Sequence, residues 1–164
     1  MKKPQALRAY LLQSNPHLTS NPDCLQIYIN TGTISCRPQT SLHYQYEYTL
    51  NVIVTDLSSH PDCIIAPLLA WVRTHQIDLQ PTAIQFEADI ISNNKIDLSI
   101  TLPLSEGVLV NTTDATHYSA IHIDEPQPEY LLPDPSLFKA LYADGFLMTR
   151  GYADSASDIE SGNG

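Results

Sequence analysis

One segment near the middle of the chain alternates so regularly between apolar and polar residues that it must be extended. Over residues 44–56, three tyrosines, a leucine and two valines share one face, and polar residues with a single isoleucine share the other. A helix is excluded, because at 3.6 residues per turn the tyrosines would scatter around its axis. The segment would reach roughly 43 Å at roughly 3.3 Å per residue, whereas strands usually hold about five or six residues. We expect a long strand in a one-sided sheet that meets a protruding hairpin or a neighbouring subunit.

The tyrosine end of this strand carries the candidate interface residues. Tyr44, Tyr46 and Tyr48 share the apolar face, and Glu47 lies on the other. Tyrosines can also stack on bases, but single-strand binders combine them with basic side chains, and the nearby charge here is Glu47. We therefore predict that these four residues contribute to a contact between subunits. Complete burial of the three tyrosines within one subunit would remove this support for a subunit contact.

The length and hydropathy of the chain predict one domain made in the cytoplasm. Its 164 residues suffice for one core. The longest apolar stretch, residues 63–72, is about half of what a membrane span needs and is interrupted by Pro67. Lys2 and Lys3 precede a mixed segment, residues 5–13, which lacks the apolar centre of a secretory signal.

The charge is strongly acidic and unevenly distributed. Eighteen acidic and eight basic side chains give a net charge of −10, and residues 96–138 contain seven carboxylates but no lysine or arginine. Such a surface repels phosphate, so we expect no tight DNA binding, although DNA could pass an acidic wall without adhering. The ordinary interpretation of each carboxylate is a solvated face that keeps the protein soluble.

No residue pattern predicts catalysis, a cofactor or a metal site. The three cysteines are an odd number without a C-x-x-C pair and are interpreted as buried small hydrophobes, and the six histidines lack ligand spacing. A weak alternative is a hydrolase that uses Ser59, His60 and Asp62 as nucleophile and base. The same segment more commonly caps a helix, with Ser58, Ser59 or Asp62 as the capping residue.

The remaining pattern predicts an α+β fold. We expect a single domain with a mostly antiparallel, twisted sheet, a long central strand and two helices packed on one face. The second helix ends near Gln76, has a late start or a kink at Pro67, and lays Ile64, Ile65, Leu68, Leu69 and Val72 against the sheet. The predicted elements are a helix over 4–14, a hairpin of 25–30 and 33–37 turning at Thr31-Gly32, a hairpin of 84–90 and 96–102 with its polar faces outward, and a hairpin of 108–111 and 118–123.

The core domain is expected to cover residues 1–125. A stiff proline-rich linker follows over 126–136. Residues 137–152 form either a short helix or a hairpin, and Asp144-Gly145 favours the hairpin. The last segment, 153–164, is acidic and small in composition, which predicts disorder.

Four segments in the same order resemble a known family. Residues 21–34, 48–56, 67–73 and 96–102 are similar to tail completion protein R of temperate contractile-tailed phages, and the resemblance covers about residues 4–130. The block 48–56, followed closely by the Ala-Trp helix, is the specific part. The family implies a structural protein that completes the tail and makes it competent for head joining, and it carries no catalytic residues.

The order of elements is also similar to that of tail terminators, which form a hexameric ring on the tail tube. This likeness implies contacts with copies of itself, with tube and sheath proteins and with the head–tail connector, while DNA passes through unbound and no membrane is involved. The expected location is the host cytoplasm during assembly and then the virion tail. A monomeric adaptor or chaperone that leaves before the particle is finished remains the alternative.

Overall fold

Two long antiparallel strands, β2 (Tyr44–Leu57) and β4 (Lys95–Thr112), form the centre of the fold. The computed structural model describes residues 1–36, 41–80, 82–92, 94–112, 116–126, 140–143 and 146–150. Its other elements are α1 (Lys3–Ser14), α2 (Pro16–Ser20), a 3₁₀ turn (Pro22–Cys24), β1 (Leu25–Cys36), α3 (Asp62–His75), β3 (Gln85–Ser92), β5 (Tyr118–His122), β6 (Ala140–Ala143) and β7 (Phe146–Arg150).

The main sheet is entirely antiparallel and follows the order β1-β2-β4-β3, with β5 also paired to β4. The three helices pack on one face of it. The predicted α+β fold with a mostly antiparallel sheet is therefore confirmed. The expected alternation of β2 is also present, because Leu50, Val52 and Val54 are buried on the face that the helices cover.

The core lies between this face and the helices. Alternate residues of β2 and β4 contribute to the core from the sheet side, and each helix contributes its buried residues. Leu69 departs from the prediction, because α3 turns it to solvent. The principal buried side chains are Leu7, Leu11, Leu18, Leu50, Val52, Val54, Ile64, Leu68, Trp71, Leu98, Ile100 and Leu102.

The turn predicted at Thr31-Gly32 is wrong, because β1 continues through both residues. Gly32 pairs with Tyr48 inside the ladder, one residue after a register shift between Ile29 and Thr31. A Cβ atom at Gly32 would lie 3.0 Å from the Cβ atom of Tyr48. The glycine therefore marks a close approach of two strands, which is a common reason for glycine within a strand.

The two strands predicted on either side of residue 105 are one strand, β4. Pro103 does not end it, because β3 pairs with β4 only as far as Thr101, and the pairing of β4 with β5 starts at Val108. From Leu102 to Glu106, β2 is the one strand of the described chain that pairs with β4. A proline without an N–H is tolerated where one edge of a strand has no ladder partner.

Helix α3 begins without the predicted side-chain cap. Its N-cap is Pro61, and none of Ser58, Ser59 or Asp62 caps it, since the chain enters through a turn in which backbone carbonyls accept the first amide hydrogens. Pro67 lies inside the helix and cannot donate to the Cys63 carbonyl four residues earlier. The side-chain amide nitrogen of Asn15 lies 3.5 Å from that carbonyl oxygen, so α2's N-cap residue partly replaces the missing donor.

Two further expectations need correction. The apolar residues of β3 were predicted to face the core, but Phe86 and Ile90 are exposed because no helix of the described chain extends over this edge strand. The cysteines were interpreted as buried, but only Cys63 is, and Cys36 is exposed.

Beyond residue 126 the structure describes two short strands. Ala140–Ala143 pairs antiparallel with Phe146–Arg150, which is the hairpin rather than the helix. Nearly all of the proposed linker and the whole proposed disordered tail, 153–164, lie outside the described residues.

The backbone conformation of Asp56 can be tested by substitution. It has a positive φ of 54° at a register shift between β2 and β4, and its carboxylate pairs with Lys95 at 2.7 Å. Asp56→Gly and Asp56→Ala both remove that ion pair, so their difference isolates the backbone term. We expect the glycine variant to be more stable by about 1 kcal/mol in urea unfolding, because a Cβ is unfavourable at this φ. Equal stability of the two variants would contradict a left-handed Asp56.

Candidate interaction site

The predicted interface residues lie on a β arm that extends past the helices. We define the β arm as residues 31–36, 44–49, 105–112 and 118–122, where the strand order is β1-β2-β4-β5. Its helix-side face carries the three tyrosines of β2, and its opposite face carries polar residues of β2. The structure therefore places the four predicted residues together in one part of the sheet, with Glu47 exposed on the opposite face.

Tyr44 and Tyr46 form a half-buried aromatic pair. Their rings meet edge to face with centroids 5.1 Å apart, and their hydroxyl oxygens are 3.5 Å apart. Tyr46 also stacks on His122 of β5, with ring centroids 6.4 Å apart. The hydrogen bond with Tyr44, followed by burial, raises the pKa of Tyr46 above its ordinary value. Both tyrosines retain surface that a partner could cover.

Tyr48 differs from the other two tyrosines because it is 6 % exposed and belongs to the core. Its hydroxyl donates to Glu106 Oε1 at 2.5 Å. Burial, and then this hydrogen bond, raise the pKa of Tyr48 well above its ordinary value. Tyr48 thus stays neutral and holds β2 to β4 from within one chain.

Glu106 is the centre of a buried polar cluster that fixes the first helix to the β arm. It is 4 % exposed, and its Oε2 accepts a hydrogen bond from the Lys2 backbone N–H at 2.7 Å. The Lys3 N–H lies 3.3 Å from Oε1, and His122 Nδ1 lies 3.0 Å from Oε2. A carboxylate at this position satisfies orphan amide groups at the start of α1 and is favoured by the helix dipole.

The pKa of Glu106 reflects two opposing influences. Burial, the largest, raises it, but the hydrogen bonds from Tyr48 and from the Lys2 and Lys3 amides together outweigh burial, so the pKa of Glu106 lies below its ordinary value. The acidic-wall prediction therefore fails at this residue, because Glu106 is an internal ligand for a helix end and not a surface charge.

A second set of polar contacts, formed by Lys3 and Gln76, joins the same elements. Lys3 Nζ donates to Glu125 Oε1 at 2.7 Å and to Gln76 Oε1 at 3.0 Å. The Gln76 oxygen also accepts the Ser105 backbone N–H at 2.9 Å, which lies on the stretch of β4 that pairs with β2 alone. The ends of α1 and α3 are thereby attached to β4.

Sequence reasoning missed Glu106, although one signal could have found it. In β4 the buried positions alternate as Leu102, Leu104, Glu106 and Val108, so a carboxylate occupies a position at which the alternation predicts a core residue. A buried charge at such a position needs hydrogen-bond donors from within the protein. His122 and Gln76 offered no comparable signal, since their roles depend on strand pairing and on the path of the loop after α3.

Two open grooves border the β arm. One, of about 530 Å³, lies between polar residues of β1 and β2 and the loop after α3, and includes Thr33, Glu47 and Gln80. The other, of about 490 Å³, includes Cys36 and Leu109. Both are wide and shallow, which is typical of surfaces that receive another macromolecule rather than of small-molecule pockets.

The weak hydrolase candidate does not assemble. His60 Nδ1 lies 3.1 Å from Asp62 Oδ2, but both side chains are about half exposed. Ser59 is directed to the Cys63 thiol, whose pKa is raised chiefly by burial, and no hydrogen bond joins Ser59 to His60. The nucleophile–base contact that this chemistry requires is therefore missing.

Metal-binding clusters and membrane-spanning helices are both missing from the described residues. The described residues contain no cluster of His, Cys, Asp and Glu that could hold a metal ion. None of the helices in the described part has the length and apolar character needed to span a membrane.

An arm of long strands, a buried helix anchor and wide grooves are features that suit a structural, assembly-type protein. A family model for P2 phage tail completion protein R (GpR) matches residues 1–127. Tail completion protein R of Escherichia phage P2 is 38 % identical over 157 residues, which cover 92 % of this chain and 98 % of that protein. No solved structure matches the chain. The chain belongs to the P2 phage tail completion protein R family, and its role is structural, in completing a phage tail.

Proposed function

We propose that this protein caps the growing tail tube, stops its elongation and makes the tail competent for head joining. Family membership over residues 1–127 is the observation that carries this proposal. The β arm supports it, since a terminal cap must present rigid surfaces to a tube below and to a connector above. Buried ligands such as Glu106 stiffen the arm without using its exposed faces.

The proposed partners are copies of this chain in a ring, with six as the proposed number, together with tube and sheath proteins and the head–tail connector. Assembly takes place in the host cytoplasm, and the protein then stays in the virion tail. The net charge of −10 suits a ring through which DNA passes without binding. The proposed function needs no catalysis, and membership of a tail completion protein family supports a non-enzymatic role.

Tyr44, Tyr46, Tyr48 and Glu47 remain the proposed contributors to a contact with another subunit or tail protein. Tyr44 and Tyr46 are half-buried and Glu47 is exposed, so these three can touch a partner directly. Tyr48 contributes through its hydrogen bond to Glu106, which sets the position of the strand that carries the others.

Deletion of the gene tests the function. We expect cells that carry the deletion to accumulate filled heads and separate tails, with joined particles reduced at least a thousandfold and tube length no longer uniform. Electron microscopy of the lysate measures both. Expression of the wild-type chain in trans restores joining, and an unrelated acidic protein serves as the control. Normal joined particles in the deletion strain would refute the proposal.

Mass spectrometry of purified particles distinguishes a retained cap from the adaptor or chaperone alternative. We expect peptides of this chain at a constant ratio of several copies per particle. Particles that join normally but contain none of the chain would show that it acts only during assembly.

A further inference from the structure

Strand β1 forms an edge of the main sheet that is open along the β arm. At its start, the Leu25 carbonyl oxygen accepts a hydrogen bond from Arg8 Nη1 at 2.5 Å, so the outer side of β1 is occupied there. After the register shift, residues 31–36 pair with β2 without interruption. None of the described residues hydrogen-bonds to the outer side of this segment. We call residues 31–36 the β1 edge.

Alternate residues of the β1 edge direct their backbone groups outward. In an antiparallel ladder, side chains lie closest at the pairs that do not exchange backbone hydrogen bonds. Gly32 and Tyr48 form such a close pair, since a Cβ atom at Gly32 would lie 3.0 Å from the Tyr48 Cβ atom. The N–H and C=O groups of Gly32 therefore point away from β2, and by the same alternation so do those of Ile34 and Cys36. These groups can pair with another strand.

The β1 edge lacks the features that normally prevent a sheet edge from pairing. Native proteins protect such edges with charged residues, prolines, bulges or very short strands. Residues 31–36 contain neither a charge nor a proline, and Ile34 is 65 % exposed. The other two outer edges of the main sheet differ, because β3 carries Glu87 and Asp89 and β5 has five residues. An uncharged edge of this kind is typical of a surface that receives a strand from a partner.

The chain also contains a hairpin that lies outside the main sheet. β6 and β7 pair with each other in a separate two-stranded sheet, and within the described residues neither pairs with the main sheet. A lone two-stranded hairpin is marginally stable in water and needs a further strand or a covering element. The hairpin therefore requires a surface to pair with. Its sequence supplies five large apolar residues: Leu141, Tyr142, Phe146, Leu147 and Met148.

The hairpin is connected to the side of the β arm that lies opposite the β1 edge. Residue 126 follows β5, and the strand order in the arm is β1-β2-β4-β5, so roughly 15 Å of sheet separates the two edges at about 4.8 Å per strand. Residues 127–139 join residue 126 to Ala140 and can span at most roughly 45 Å. The chain reaches its own β1 edge only by crossing a face of the arm, whereas the β1 edge of an adjacent copy can lie directly beyond β5.

We propose that the β6–β7 hairpin of one copy adds to the β1 edge of the next copy and extends its sheet. This inference rests on the proposed function, because it names the segment through which copies in the ring would be joined. The hairpin and the β1 edge are different surfaces, so each copy donates one hairpin and receives one. Repetition of such a head-to-tail contact can close a ring. Main-chain hydrogen bonds provide the affinity in this kind of strand addition.

Photo-crosslinking of the full-length chain tests the contact. A benzophenone amino acid replaces Phe146, the first residue of β7, and both purified protein and tails assembled in cells are irradiated. We expect a crosslinked dimer on denaturing gels, with the crosslink mapped by mass spectrometry to residues 31–36. The same amino acid at Phe86, an exposed aromatic position of β3, is the matched control and should give no crosslink to the β1 edge.

Three results of this experiment would overturn the inference. An internal crosslink to residues 31–36 that leaves the chain at the monomer position would show that the hairpin binds its own β1 edge. A crosslink to a tube or sheath protein would identify a different acceptor. No crosslink in either purified protein or tails would show that the hairpin does not pair with the β1 edge at all.

Substitutions at Ile34 provide an independent arm. Ile34→Pro removes an outward N–H and leaves the hydrogen bonds between β1 and β2 in place, and Ile34→Lys adds a charge to the edge. We expect each to reduce the dimer yield by about tenfold or more, because edge charges and prolines oppose strand addition. Ala88→Pro, at an outward position of β3 by the same alternation, is the control and should change the yield by less than about twofold.

Ile34→Lys keeps this arm decisive if the proline variant does not fold, since the side chain of Ile34 is largely exposed. An unchanged dimer yield with Ile34→Lys would overturn the inference. Gene deletion gives a separate result. If deletion blocks tail completion but the hairpin gives no crosslink to residues 31–36, this contact is refuted and the proposed function stands.

Discussion

Replacement of Glu106 by alanine is expected to lower the free energy of unfolding by about 3–5 kcal/mol, as when one partner of a buried charge pair is removed. The carboxylate accepts hydrogen bonds from the Tyr48 hydroxyl and from the backbone amides of Lys2 and Lys3, and it contacts His122. Alanine would leave these donors buried and unpaired, and each unpaired buried donor costs about 1–3 kcal/mol. The start of α1 would lose its ligands in the same step.

Two companion variants remove smaller parts of the same cluster, and we expect smaller losses in the free energy of unfolding. Tyr48→Phe removes one donor and leaves the carboxylate its other contacts, so we expect a loss of about 1–2 kcal/mol. Glu106→Gln keeps an oxygen acceptor but loses the charge, and should fall between Tyr48→Phe and Glu106→Ala. Urea unfolding followed by far-UV circular dichroism measures all three. If Glu106→Ala unfolds at the same urea concentration as the wild type, the buried cluster is not a stabilising one.

The pH dependence of stability has a defined direction. Because the pKa of Glu106 is lower in the folded chain than its ordinary value of 4.5, its contribution is complete above pH 4.5 and is lost as the pH falls through the lowered value. We expect the wild type to lose stability more steeply below pH 4.5 than Glu106→Gln does. Parallel acid unfolding curves for the two proteins would contradict a lowered pKa.

Replacement of Trp71 by alanine is expected to cost about 3–5 kcal/mol, through lost burial and the cavity that remains. Trp71 is 2 % exposed, and its indole stacks on His75 with ring centroids 4.2 Å apart. It also holds α3 against the sheet, and α3 carries Leu69 and Arg73. A loss of this size would lower the melting temperature by about 10 °C in a domain of this length.

Leu69→Ser on the same helix is the matched control for Trp71→Ala. Leu69 is exposed, so its replacement should change the free energy of unfolding of the isolated chain by no more than about 0.5 kcal/mol. Circular dichroism is again the suitable signal, because Trp71→Ala removes the one tryptophan of the chain. A larger loss from Leu69→Ser than from Trp71→Ala would place the wrong side of α3 in the core.

The parts of the fold that the sequence predicted are those in which periodicity follows burial. Alternation over 44–56 predicted β2 because one face of that strand is covered by helices along much of its length. The same reasoning failed at β3, where the alternation of Phe86, Ala88 and Ile90 is equally regular but none of the described helices lies above it. Periodicity indicates which side of a strand is apolar, and it cannot indicate what covers that side.

Local turn signals failed for a related reason. Gly32 was interpreted as a turn residue, but the space it leaves is needed by Tyr48 on the neighbouring strand. Strands 96–102 and 108–111 were predicted as separate, but β4 runs through Pro103, whose missing N–H is harmless where β4 pairs with β2 alone. Both outcomes depend on pairing between strands that are distant in the sequence. The conformational preference of a single residue does not specify such pairing.

The candidate site was predictable in part. The sequence placed Tyr44, Tyr46 and Glu47 on an extended strand, and the structure brings them into one arm. It did not predict that Tyr48 binds a carboxylate 58 residues later in the chain, since nothing local to either residue specifies the other. Whether the arm contacts another subunit stays a prediction for the experiments above.

The attachment of α1 to Glu106 has a consequence for how the chain folds during synthesis. The residue that accepts the Lys2 amide lies 104 positions further along, so α1 leaves the ribosome long before the strand that anchors its first turn. A lone helix of this length is marginal in water. We therefore expect α1 to be the last element to become protected from hydrogen exchange during refolding, only after β2 and β4 have paired.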